Sequence, residues 1–226
     1  MLVKKWMSKE VISVGPDDSM QQAVNLMKEH AIRFLPVMKG KKLVGVVSDG
    51  DLKKASTSQS VALDVQELLY HTFKTKIKEI MTERPITILM DETVDEAAQV
   101  LLKNKISAAH VVDHKGTVVG VITQDDIFRV LISLTAMGTR GIQFAFSVRD
   151  RPGVVKELID VIRTHGGRTA SILSTYETAA PGHRNVYIRT FGLDRSKLPQ
   201  MVKELKEMAT MLYMVDYREN KREIYE

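Results

Sequence analysis

Two hydroxyls and two carboxylates stand at matching places in this 226-residue chain: Ser48 with Asp51, and Thr123 with Asp126. Each pair closes one copy of an eight-residue stretch, GVVSDGDL at 45–52 and GVITQDDI at 120–127. A small apolar strand ending in a hydroxyl, with an acid on the first turn of the next helix, collects an O–H, a carboxylate and free helix N–H donors at one point. Such a point suits a sugar phosphate. The hydroxyl and the helix N-terminus meet the phosphate, and an ionised acid accepts from the two hydroxyls of a ribose. The same residues have a plainer use, because Ser and Thr directly before a helix cap its first turn.

The elements that position these groups are duplicated. An offset of 74 pairs Met7 with Met81, Ser19 with Thr93, Ala23 with Ala97, Leu26 with Val100 and Leu35 with Ala109. One extra residue in the turn after Val111 makes the offset 75 for Gly45 and Gly120. Such self-similarity marks one unit used twice. In each copy a short β-rich run (Val11, Ile12 and Val14; Ile86, Thr87 and Ile88) precedes a helix opened by capping-box spacing at Ser19 and Gln22, or Thr93 and Glu96. Two strands joined by a glycine turn follow, then a second helix, which gives the order β-α-β-β-α and an α+β fold. Between the copies, Val65, Leu68, Leu69 and Phe73 have the spacing of one amphipathic helix.

The leading LPV of residues 35–37, the G-h-h-S/T-x-x-D ending and the twofold repetition make the first 136 residues resemble a tandem pair of CBS domains, the Bateman module. The resemblance implies domains at 1–60 and 76–136, a linker helix at 61–75, and an adenosine compound in clefts between the copies: AMP, ADP, ATP or S-adenosylmethionine. It implies ribose at Asp51 and Asp126, and phosphate or ribose at Ser48 and Thr123. The base would be enclosed by Ile12, Ser13 and Leu35, and by Ile86, Thr87 and Ala109. Two departures between the copies matter. His110 stands where the first copy has Pro36, and Arg33 stands where the second has Ser107. Arg33 is either a bidentate phosphate ligand or a solvated arginine at a helix–strand corner. His110 either senses pH or a ligand, or is an ordinary partly buried histidine.

The remaining third opens on a half-buried strand, with Ile142, Phe144, Phe146 and Val148 on one face. DRPG follows at once: Asp150 is placed to cap a helix, Pro152 suits its first turn, and Gly153 lets another backbone or a ligand come close. The order then reads β-α-β-β-α-β, the ferredoxin-like split motif. Residues 139–218 resemble an ACT domain through this strand–DRPGVV–helix entry and the paired Gly166 and Gly167. The resemblance implies a dimer and a small amino-acid effector beside Asp150, Arg151, Pro152 and Gly153, or a sheet used only for dimerisation. The charged tail at 219–226 is expected to fray.

Composition narrows the rest. With no cysteine there are no disulfides, thiolate metal sites or cysteine nucleophiles. No apolar run is long enough to span a bilayer and the start lacks the apolar core of a signal peptide, so a cytoplasmic chain without membrane contact is expected. The net charge of +5 is spread, with 18 Lys+Arg against 17 Asp+Glu through Ala136 and 15 against 11 from Met137, so nucleic acid is not expected as a partner. The six histidines form no i, i+4 helical pair, and there is no P-loop or G-x-S-x-G elbow, so neither a metal centre nor a catalytic cofactor is expected. The expectation is a stand-alone, non-enzymatic homodimeric sensor that acts on a metabolic enzyme or regulator. The order CBS–CBS–ACT is similar to that of the acetoin-utilisation family, which implies acetoin or acetate metabolism by analogy. The alternatives are an enzyme of the IMP dehydrogenase type, disfavoured by the missing barrel and cysteine, and a DNA-binding regulator.

Overall fold

A computed structural model describes residues 1–59, 74–138 and 140–225, which form two compact units, Met1–Phe128 and Arg129–Glu226. The amphipathic run expected around Val65 to Phe73 lies outside the described residues.

The first unit holds the repeat. Copy one runs α1 (Met20–Glu29), β1 (Phe34–Lys39), β2 (Lys42–Ser48) and α2 (Asp49–Gln59). Copy two runs α3 (Ile77–Ile80), β3 (Thr82–Glu83), β4 (Thr87–Leu89), α4 (Val94–Asn104), β5 (Ala108–Val112), β6 (Val118–Thr123) and α5 (Gln124–Leu134), the last continuing past the end of the unit. Both expected capping boxes form: Ser19 Oγ accepts from the Gln22 amide, and Thr93 Oγ1 from the Glu96 amide. These caps satisfy helix N–H groups that would otherwise lack partners, so α1 and α4 begin at equivalent residues.

The two copies exchange their opening segments. Val3 is fully buried in copy two's core with Ile88, Leu101 and Ile122, and Met7 packs against it. Ile77 is fully buried in copy one's core with Leu35, Val37 and Val47, with Ile80 and Met81 beside it. Backbone bonds repeat the exchange at the 74-residue offset. Val3 N–H donates to Glu92 O and Ile77 N–H to Asp18 O; Lys4 N–H donates to Met90 O and Lys78 N–H to Pro16 O. Ser8 bridges Val121, while β3 pairs with β2 through Gly45 and Val46. The repeated glycines make room for this contact: a Cβ on Gly45 would lie 2.6 Å from Met81 Sδ, and one on Gly120 would lie 2.6 Å from both Met7 Sδ and Ser8 O. Packing therefore crosses the domain boundaries that chain order suggests.

The copies differ at one sheet edge. In copy two β4 runs parallel to β5 over three residue pairs, beginning with Thr87 and His110. In copy one the expected strand at Val11 to Val14 is reduced to a bridge between Val14 and Val37. Two prolines are the cause: Pro36 occupies His110's place and Pro16 the place of Met90, whose amide donates to Val112 O, and neither has an amide hydrogen for a ladder.

The second unit contains β7 (Ile142–Arg149), α6 (Val154–Thr164), β8 (Arg168–Thr175), β9 (His183–Phe191), α7 (Leu198–Met208), β10 (Thr210–Asp216) and β11 (Lys221–Ile224). They build an antiparallel sheet in the order β11-β10-β7-β9-β8. Ile142, Phe144, Phe146 and Val148 face one way, into a core closed by Leu158 and Ile162 of α6 and Met201 and Leu205 of α7. The expected fraying tail is corrected. Residues 221–224 pair with β10, Tyr225 N–H donates to Leu212 O, and Lys206 Nζ lies 3.6 Å from the Tyr225 ring centroid. An edge strand needs one sheet neighbour only, and its charged side chains suit the solvent side.

Candidate functional site

At the end of β2, Ser48 caps α2. Its Oγ accepts from the Asp51 amide at 3.2 Å and donates to Asp51 Oδ2 at 2.6 Å, and the Ser48 amide donates to the same oxygen at 2.8 Å. Thr123 and Asp126 repeat the arrangement at 3.1, 2.7 and 2.8 Å. The plain capping use of both hydroxyls is thus realised in each copy. Asp51 keeps its other oxygen, Oδ1, outside this cap.

The surroundings of the two acids differ. Asp51 is half-buried on the wall of a cavity of about 540 Å³. Asp126 is 2% exposed and does not line it. The symmetrical expectation is corrected accordingly: the repeat places one carboxylate at the cavity and closes the other into the protein. Of the remaining expected residues, Arg33, Ser48, Ile86, Ser107, Ala109 and His110 line the cavity. Leu35 and Pro36 are buried instead, Leu35 in the core of copy one. Ile12, Ser13, Thr87 and Thr123 also lie outside the cavity lining.

Among the described residues the cavity wall contains one buried polar group without a hydrogen-bond partner, His110 Nε2. The ring is 1% exposed and meets Phe34 edge to face at 5.6 Å. Burial pushes its imidazole down to about 4, so it is neutral at neutral pH. Phe34, Ile86, Pro85 and Ile106 make the apolar side of the cavity, and Arg33, Arg84 and Lys105 bring positive charge to it. Sequence reading missed Phe34, Arg84 and Lys105. Lys105 had a signal, since it directly follows the apolar face of α4, where a left-handed cap is common; its φ is 53°. The Arg84–Pro85 pair likewise marks a non-helical turn.

In the second unit the DRPG loop is exposed. Arg151 binds Glu157 at 2.6 Å, and its guanidinium holds the Glu157 carboxyl below the usual carboxylate range. Asp150 does not cap α6. Its carboxylate lies 3.4 Å from Arg184 Nε, and Gly153, at φ 87°, takes the position before the helix. A left-handed backbone there explains the glycine, and Pro152 lies just before the helix rather than in its first turn. Among the described residues no cluster of metal-ligating side chains occurs, and no helix is long and apolar enough to cross a membrane.

The CBS domain model matches residues 3–58 and again 77–133. The chain belongs to the CBS domain family. Its CBS pair is similar to that of protein MJ0100, solved in complex with 5′-methylthioadenosine and S-adenosyl-L-methionine, with 35% identity and a TM-score of 0.50, covering 58% of this chain and 95% of that one. It is also similar to a structure described as a putative acetoin utilization protein (AcuB) from Vibrio cholerae, with 27% identity and a TM-score of 0.51, covering 61% and 95%. An inosine-5′-monophosphate dehydrogenase of Korarchaeum cryptofilum is 35% identical over 120 residues, 53% of this chain. Those residues span 22% of the dehydrogenase.

Proposed function

We propose that this protein is a non-catalytic regulatory sensor that holds an adenosine nucleotide, of the AMP, ADP or ATP class, in the cavity beside Asp51. One observation carries the reading: a half-buried carboxylate with a spare oxygen stands at a helix N-terminus on the wall of a cavity that the apolar side chains of Phe34, Ile86 and Ile106 also line. The carboxylate suits ribose hydroxyls, the α2 N-terminus suits phosphate and the apolar side suits the base. The volume of about 540 Å³ falls within the roughly 300–1,000 Å³ of small-molecule sites. The adenosine compounds bound by the MJ0100 pair support the same ligand class.

In this proposal residues 139–218 are an ACT domain with the ferredoxin-like split motif, supported by the order β7-α6-β8-β9-α7-β10. It forms the homodimer, and Asp150, Arg151, Pro152 and Gly153 mark the place for an amino-acid effector. Nucleotide binding passes through this dimer to a metabolic enzyme or regulator in the cytoplasm. The likeness to the Vibrio cholerae protein points to acetoin utilisation. Thermal melting of the whole chain tests the ligand: AMP, ADP or ATP raises the melting temperature, because a ligand bound only by the folded state stabilises it. Asp51→Ala removes the shift, and Asp126→Ala, if it folds, keeps it. No shift with any adenosine compound overturns the reading. Light scattering tests the dimer, and amino acids added to the same melts test the effector loop.

A further inference from the structure

We propose that the cavity selects an adenosine nucleotide bearing two or three phosphates, through charge contacts from Arg33, Arg84 and Lys105. The inference rests on the nucleotide reading above and concerns which nucleotide that site prefers. All three cations line the cavity, and all three side chains are exposed at its rim. Among the described residues none of the three is engaged in an ion pair or a side-chain hydrogen bond. The acids that share the lining are Asp49 and Asp51. Asp49 is bound to Lys53 at 3.1 Å, and one oxygen of Asp51 is held by the Ser48 cap. Among the described residues the positive charge around the cavity is therefore largely unanswered.

The repeat itself does not produce this charge. At the 74-residue offset, the mates of Arg33, Arg84 and Lys105 are Ser107, Glu10 and Ala31: a hydroxyl, an acid and a methyl group. The cations are gathered at one mouth of the pair, the mouth where Asp51 is half-buried. Arg84 has a left-handed backbone at φ 51°, and Lys105 one at φ 53° that its mate Ala31 shares at φ 52°, so at Lys105 the repeat sets the backbone but not the charge. Arginine presents a planar fork to phosphate, and each further phosphoryl group adds negative charge at the rim. S-adenosylmethionine carries a sulfonium cation and no phosphate, so the same three residues repel it. On this ground the preference differs from the ligands of the MJ0100 pair.

Titration calorimetry of the full chain with ATP, ADP, AMP and S-adenosylmethionine, each without magnesium, tests the proposal. The expected result is that ATP and ADP bind about tenfold or more tightly than AMP, and S-adenosylmethionine more weakly than AMP. Raising the salt should narrow the gap, because rim charges are screened. The double variant Arg84→Gln, Lys105→Gln should weaken ATP by about tenfold and AMP by less than about threefold. Both positions are exposed, and a melting curve checks that the variant folds; Arg33→Gln alone should shift ATP in the same direction. AMP or S-adenosylmethionine binding as tightly as ATP overturns the proposal, and so does a double variant that weakens AMP as much as ATP. If the chain binds none of the four, the nucleotide reading has failed and this inference falls with it. Failure of the selectivity alone leaves that reading intact.

Discussion

The two copies of the repeat share a framework and part company at the cavity. Both begin a helix with the same capping box, both end a strand in a hydroxyl bound to an acid three residues on, and both accept the other's opening segment against a glycine. Yet Pro36 answers to His110, Arg33 to Ser107 and half-buried Asp51 to enclosed Asp126. The shared positions satisfy backbone groups or fill core space, which any copy of the fold requires. Of the positions that differ, Arg33, Asp51, Ser107 and His110 line the cavity, whereas Pro36 and Asp126 are buried outside its lining.

The largest effect should come from the exchanged segments. Ile77→Ala is expected to cost about 3–4 kcal/mol, because a fully buried side chain leaves a cavity in copy one, and Val3→Ala about 2 kcal/mol in copy two. Denaturant unfolding measures both, and a small effect of either would show that the exchange is dispensable. The next effect is confined to copy two and to acid. In the unfolded chain His110 titrates near 6.5, and in the folded chain near 4. Because the folded pKa is the lower one, stability is fully present above 6.5 and declines as pH falls from 6.5 to 4, by up to about 3 kcal/mol. His110→Leu should remove that decline, and an unchanged pH profile would contradict the assignment. Copy one has no counterpart, since Pro36 does not titrate.

The glycines sharpen the comparison further. Gly120→Ala forces a methyl against the backbone oxygen of Ser8 and should cost about 2 kcal/mol. Gly45→Ala meets chiefly the flexible Met81 side chain, with backbone Thr82 O farther away at 3.1 Å, and should cost about 1 kcal/mol. The smallest effects are the caps. Ser48→Ala and Thr123→Ala should each lose about 1 kcal/mol of stability, read from melting curves. Their equality would separate a framework role common to both copies from ligand binding, which should respond to Ser48→Ala alone.

Much of this was legible in the sequence, and for identifiable reasons. Ser19, Gln22, Thr93 and Glu96 announce helix starts because capping is local chemistry. The alternation from Ile142 to Val148 announces a strand because burial of one face has a period of two. The exchange of opening segments was not legible, since Val3 and Ile77 carry no mark of which copy's core receives them. Equal motifs at Asp51 and Asp126 likewise concealed unequal burial, which depends on packing from elsewhere in the chain. Arg84 and Lys105 escaped notice because each belongs to a turn, and only the folded pair brings those turns to Ser48. The edge strand at 221–224 was hidden by its charge, which suits a solvent-facing sheet margin as well as a loose tail.

The crossed packing of Val3 and Ile77 sets an order for events during synthesis. The first copy lacks its own closing piece until Met81 has left the ribosome, and the N-terminal residues wait unplaced until Gly120 has followed. Neither half is finished before the other is under way, so the pair matures as one object and a nascent chain halted between the copies would hold an open core.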